Sequence, residues 1–277
     1  MRHAVKEKRS FDWLRANGTL TEVTSRPPRI LAIAGSDSSG GAGIQADIKV
    51  ITMLGGHAMT AITALTAQNS KGVTGVERLS PEFVAAQMDA CMGDIGVDGV
   101  KIGMLGSADI AEVVADRLED LPCPIIFDPV MVATSGSVLA DEATIEVFDW
   151  LMELATLTTP NVHELAALGS AKALESAGIT FLAKGGDAQA GDAQGAEVTD
   201  ILHRPGQPPL LWTDSRIDTR HNHGTGCTLS SAIATLMAQG AAMPDAIGEA
   251  RQFVRAALNA APGYGAGNGP MGLFVPR

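Results

Sequence analysis

Cysteine is scarce in this chain: Cys91, Cys123 and Cys227 are the only three in 277 residues, and no two form a C-x-x-C pair. An odd number at wide spacing supplies neither a zinc site nor a disulfide framework, and it fits a reducing, cytoplasmic setting. Positive charge is also in deficit. Twenty Lys and Arg stand against 31 Asp and Glu, a formal net charge of −11, which argues against a surface for nucleic acid or anionic membrane. An anionic small molecule stays open, because a local loop can bind phosphate inside an acidic protein. No apolar run approaches the roughly 18 residues of a membrane span. Residues 1–28 lack the apolar core of a secretory signal and read as an N-terminal extension. Residues 29–277 read as one domain, with no internal repeat and no long linker.

What is present alternates. "RILAIAG" (29–35) is a short apolar run ending in glycine, as a buried parallel strand does. The glycine loop "SDSSGGAG" follows, then a helix with Ile44, Ile48, Ile51 and Met53/Leu54 near helical spacing. Further strands are expected at 57–69, 99–105, 123–131 and 179–187. Helices are expected at 80–92, opened by Ser80 and Pro81, and at 107–119, 141–155, 161–168, 171–177, 225–239 and 244–260. "AEVTDILHR" and "PLLWTDSRID" read as antiparallel edge strands. Strands alternating with helices predict a mostly parallel sheet covered on both faces, with the ligand site beyond the carboxyl ends of the strands. Cys91 and Cys123 fall on packing positions.

Polar residues cluster at those strand ends. "GSDSSGGAG" has no Lys-Ser or Lys-Thr after it and lacks G-x-G-x-x-G spacing, so neither a P-loop nor a Rossmann fingerprint is present. It is either a close-approach ligand loop or a tight turn. "HGTGC" (223–227) opens the helix at 225. Glycines before a helix leave N–H groups free, and with the helix dipole they form an anion site. Cys227 in that first turn is either a reactive thiol of lowered pKa or a small buried residue. His221 and His223 fit solvation or turn bonding better than a metal. Asn161 with Glu164 is either a carboxylate that holds Mg²⁺ or a helix cap. Lys184 is a phosphate contact or a solvated loop lysine. Asp128 is catalytic or bonds nearby backbone.

Taken in order, "AGSDSSGGAGIQADIK" (34–49), "ITALTAQNSKGV" (62–73), "KIGML" (101–105), "DPVM" (128–131), "TPNVHEL" (159–165), "KGGD" (184–187) and "HGTGCTLSSA" (223–232) resemble the hydroxymethylpyrimidine and phosphomethylpyrimidine kinases of thiamine biosynthesis. These belong to the ribokinase-like superfamily, and the resemblance covers roughly residues 29–270. It implies a three-layer α/β/α sandwich and ATP-dependent phosphorylation of a pyrimidine hydroxymethyl group and then of its monophosphate, in a homodimer. It further implies that Ala42, Gly43, Asp47, Gln68 and Met104 bind the pyrimidine. Asn161, Lys184, Gly186, Thr219 and Gly226 would serve ATP, and Glu164 with Asp128 would organise Mg²⁺. Gly224, Thr225, Gly226 and Lys184 would stabilise the moving phosphoryl group, and Cys227 would stand where the base stands.

Three departures accompany the resemblance. The segment between Asn161 and Lys184 is shorter than in relatives, so one helix is expected to be reduced there. His221 and Asn222 replace the more usual Asn-Thr. Residues 1–28 match nothing in the family. Two other functions compete: a pyridoxal or pyridoxine kinase of the same superfamily, against which Gln68 argues, and a catalytically silent ligand-binding homologue.

Overall fold

In the computed structural model, residues 26–132, 136, 138–185 and 197–274 are described. A nine-stranded sheet runs through them, built from β1 (Arg29–Asp37), β2 (His57–Asn69), β3 (Gly72–Arg78), β4 (Gly99–Ile102), β5 (Ile125–Phe127), β6 (Leu157–Thr158), β7 (Phe181–Ala183), β8 (Glu197–Arg204) and β9 (Gln207–Ser215). Their order across the sheet is β3-β2-β1-β4-β5-β6-β7-β8-β9. The stretch from β2 to β7 is parallel, and β3, β8 and β9 add antiparallel edges.

Strand alternation divides the core in two. Leu31, Ile33, Val100, Ile102, Ile125 and Phe127 face one layer of helices: α2 (Pro81–Ala90), α3 (Ala108–Leu118) and α4 (Glu142–Leu154). Ile30, Ala32 and Ile126 face the other layer: α1 (Gly43–Met53), α7 (Thr225–Ala238) and α8 (Met243–Asn259). The expected sandwich is therefore what forms. Successive side chains of a strand point to opposite faces, so β4 buries Val100 and Ile102 on the first side and turns Lys101 toward α1 and α7.

Several boundaries differ from the sequence reading. The strand expected at 123–131 contracts to Ile125–Phe127, because Pro129 cannot donate a ladder bond. β3 and the two-residue β6 were not anticipated: β3 is mostly solvent-facing and β6 is too short to show a period. Ile48 is 39% exposed, so it is not part of the buried stripe of α1. Helix α2 passes into a π-helical turn at Cys91–Ile95, which leaves Cys91 half-buried against the core. Cys123 also packs there. The short segment after β6 holds two brief helices, α5 (Val162–Ala167) and α6 (Ala171–Ser176), and the sheet continues past them through β7 to β9. Pro28 is buried, and its carbonyl accepts from His57 N, so the folded domain takes in the last residue of the expected extension.

Candidate active site

Six of the functional stretches sit at or just past the carboxyl end of a strand, and the 223–227 stretch opens α7. β1 delivers the 36–43 loop, β2 Gln68, β4 Met104, β5 Asp128, β6 Asn161 and β7 Lys184. Two cavities open there. One is lined by Gly35, Asp37, Ala42, Gly43, Gln68, Met104, Asp128, Glu164 and the 222–227 loop. The other is lined by Val198, Asp200, Arg216, Thr219, Leu229, Arg251, Val254 and Leu258. Lys184, Asn222, Thr225 and Gly226 belong to both, so the cavities meet at the N-terminus of α7.

Two glycine loops build this junction by packing on each other. Gly224 has φ +88°, and a Cβ there would collide with the Gly41 carbonyl oxygen; a Cβ on Gly41 would lie 2.5 Å from His223 Cδ2. Gly226 lies against Asp128 and Lys184, where an added Cβ would sit 3.2 Å from Asp128 Oδ2. Helix α7 starts at Thr225, whose N–H reaches Asn222 O at 3.3 Å. The other first-turn N–H groups have no intrahelical acceptor and point outward with the positive end of the dipole.

Asp37 joins the loops. Its carboxylate accepts from Ser39 N and Oγ, from Gly41 N and Ala42 N, and from His223 Nε2 at 2.9 Å. Burial pushes its pKa up, but the bonds from His223, Ser39 and Ala42 outweigh burial and hold it down at about 2. Gln68 Nε2 lies 3.2 Å from the same His223 nitrogen. That nitrogen spends its hydrogen on Asp37 and cannot also accept from an amide. Turning the carboxamide over places its oxygen toward His223 and its NH₂ toward Thr66 Oγ1, which itself donates to Ser36 O. His223 is therefore a buried structural member of the site.

Asp128 accepts from Lys184 Nζ at 2.8 Å and from Thr159 Oγ1 at 3.1 Å. Lys184 Nζ also lies 3.9 Å from Glu164 Oε2. Asn161 and Glu164 form a reciprocal capping box at the start of α5, so the capping reading holds while both residues still line the cavity. Among the described residues no group of three or more His, Cys, Asp or Glu converges as a metal cage. Asp128 and Glu164, two carboxylates lining the cavity, still suit Mg²⁺, which commonly takes one or two carboxylates plus substrate phosphates. Thr219 lines the second cavity. Gly186 falls outside the described residues.

One expectation is corrected, and one of the two readings of Cys227 loses its lowered pKa. Asp47 does not reach the cavity: it is 0% exposed and pairs with Lys101 Nζ at 3.0 Å and Ser231 Oγ at 2.7 Å, beneath α7. Its place on the inner face of α1 explains this. The Cys227 thiol is not lowered by the helix end either. Burial pushes it up to about 11, aided by Asp47 and Asp128 and only partly opposed by Lys101 and by the Gly43 N–H. Lys101 itself was missed. Its signal was a lone charge in the apolar run "GVKIGML", which marks a buried partner when the strand is central.

A phosphate-ready helix terminus between two cavities, on a three-layer sandwich of this topology, defines a ribokinase-like small-molecule kinase. Residues 37–272 match the family model for phosphomethylpyrimidine kinase, and the chain belongs to that family. It is 42% identical over 258 residues to the hydroxymethylpyrimidine/phosphomethylpyrimidine kinase of Streptomyces coelicolor, covering 88% of this chain and 94% of that one. It is 40% identical over 275 residues to a chloroplastic thiamine biosynthetic bifunctional enzyme of Arabidopsis thaliana, covering 94% of this chain but 52% of the relative, so it spans about half of that protein's length. Among solved structures, pyridoxal kinase of Bacillus subtilis in an ADP complex superposes with TM-score 0.80 at 31% identity, covering 89% of this chain and 97% of that one. Phosphomethylpyrimidine kinase of Clostridium difficile superposes at 0.69 and 33% identity, covering 83% and 99%. The kinases among these relatives are phosphotransferases, and the silent-homologue reading is set aside. No helix among the described residues is long and apolar enough to cross a membrane.

Proposed function

We propose that the chain transfers the γ-phosphoryl group of ATP to the hydroxymethyl oxygen of 4-amino-5-hydroxymethyl-2-methylpyrimidine, and a second one to the resulting monophosphate. The observation that carries this reading is the pair of cavities sharing Lys184, Asn222, Thr225 and Gly226 at one helix N-terminus. ATP would occupy the cavity lined by Thr219, Leu229 and Val254. The pyrimidine would occupy the other, with Ala42 and Gly43 at one side, Met104 against the ring and the Gln68 amide toward its polar edge.

Phosphoryl transfer asks mostly for positioning and charge stabilisation. The first-turn N–H groups of α7 and Lys184 would hold the γ-phosphoryl as the acceptor oxygen bonds to phosphorus and the bond to the β-phosphate oxygen breaks. Asp128 and Glu164 would hold Mg²⁺, which when bound neutralises phosphate charge. Cys227 would accept the hydroxyl proton as the thiolate. The reading includes a homodimer in a reducing compartment, supported by exposed Leu65 and Val76 on the β2–β3 hairpin; light scattering measures its mass.

Pyridoxal is the second substrate to weigh, because pyridoxal kinases superpose well. Side-by-side kcat/KM from ADP release decides. A value for the pyrimidine at least about tenfold above that for pyridoxal is expected, since a site that hydrogen-bonds a substrate group discriminates strongly against analogues lacking it. The reverse order would favour the pyridoxal reading.

A further inference from the structure

One side chain in the wall between the two cavities carries a buried polar atom without a partner. Lys184 is held by Asp128. Thr225 and Gly226 offer the helix terminus. Asn222 contributes its backbone carbonyl to Thr225 N, but its side-chain Oδ1 is buried and has no hydrogen-bond partner. A buried polar atom left unmatched is costly, and ligand binding is a recurrent reason for one to persist. Asn222 lines both cavities, and the oxygen and nitrogen of its carboxamide exchange places on a flip.

The two acceptors of the proposed reaction differ by one phosphate. With the ring against Met104 and the γ-phosphoryl at the helix terminus, that extra phosphate has to lie between them, at the junction. Donors are short there: Asp37, Asp128 and Glu164 are acidic, and Lys184 already serves two of these carboxylates. A carboxamide brings two N–H donors to phosphate oxygens without a further charge to balance.

We propose that Asn222 is a specificity-determining residue that hydrogen-bonds the phosphate of the pyrimidine monophosphate and so favours the second transfer. The inference rests on the two-transfer reading above. Its test is the ratio of kcat/KM for the monophosphate to kcat/KM for the alcohol, at fixed MgATP, in the wild type, N222A and the isosteric N222D. The ratio falls about tenfold or more in N222A, and further in N222D, where a carboxylate faces the phosphate. A purely structural role would lower both activities together and leave the ratio within about twofold, which overturns the proposal. Calorimetric Kd values for the monophosphate and the alcohol in the presence of ADP give a second reading. If the wild type fails to phosphorylate the monophosphate, the two-transfer reading falls. The Kd ratio still decides the role of Asn222: a selective loss of monophosphate binding in N222A supports it, and parallel Kd values overturn it.

Discussion

Cys227 shows how a residue's setting overrides its address. The first turn of a helix ordinarily favours a thiolate, yet this half-buried thiol feels Asp47 and Asp128 and rises to about 11. At neutral pH it is a thiol, and its ability to accept a proton grows with alkalinity. The two transfers should therefore separate. The alcohol must lose a proton, whereas a phosphate monoester with a second pKa near 6 already presents an ionised oxygen. In C227A, kcat for the alcohol should fall on the order of a hundredfold, the usual weight of a general base, and kcat for the monophosphate by less than about tenfold. The wild-type rate on the alcohol should climb between about pH 7 and 9, and that climb should vanish in C227A. Equal losses on both acceptors would assign Cys227 to packing. The place of the glycines at 224 and 226 before a helix, and of Lys184 after a strand, was legible in the sequence. The raised thiol was not, because it depends on Asp47 and Lys101, which lie far away in sequence and meet only when the sheet is assembled.

Among the elements, the 36–43 loop and the 221–227 loop act as one unit. Asp37 ties them through His223, and Gly224 allows their backbones to approach. G224A forces a left-handed residue into Gly41, so it should cost on the order of 2 kcal/mol or more and weaken both ligands together. Urea midpoints and calorimetry measure the two effects. Asp37 carries a sign for pH. Its folded pKa is depressed to about 2 from an ordinary 3.8, so its stabilisation is present above the ordinary value and is lost as pH falls through the folded one. Wild-type stability should drop between about pH 4 and 2 more steeply than that of D37N, as followed by urea unfolding. Both loops were visible in the sequence as glycine-rich punctuation. Their mutual contact was not, since nothing local pairs Asp37 with a histidine 186 positions away.

At the scale of the molecule, the parallel core was readable because its strands are short apolar runs closed by glycine or polar residues. The edges were less so: β3 turns most of its residues to solvent, and β6 is too brief to carry a pattern. The Lys101–Asp47 pair lies at the centre, fully buried between β4, α1 and α7. Burial opposes charge on both partners. The pair raises the pKa of Lys101, whereas burial dominates at Asp47 and raises its pKa as well. K101M strands a buried carboxylate and should cost about 3–5 kcal/mol, while K101M/D47L should cost clearly less than the sum of the single changes. Additive losses would mean that the two side chains are not coupled.

One chemical outcome tests the two-transfer activity most directly. Purified chain incubated with MgATP and 4-amino-5-hydroxymethyl-2-methylpyrimidine, with products resolved by mass spectrometry over time, should show a singly phosphorylated pyrimidine that rises and then gives way to a doubly phosphorylated one, with one ADP formed per phosphoryl group. No phosphorylated pyrimidine, with ADP formed no faster than in its absence, would contradict it.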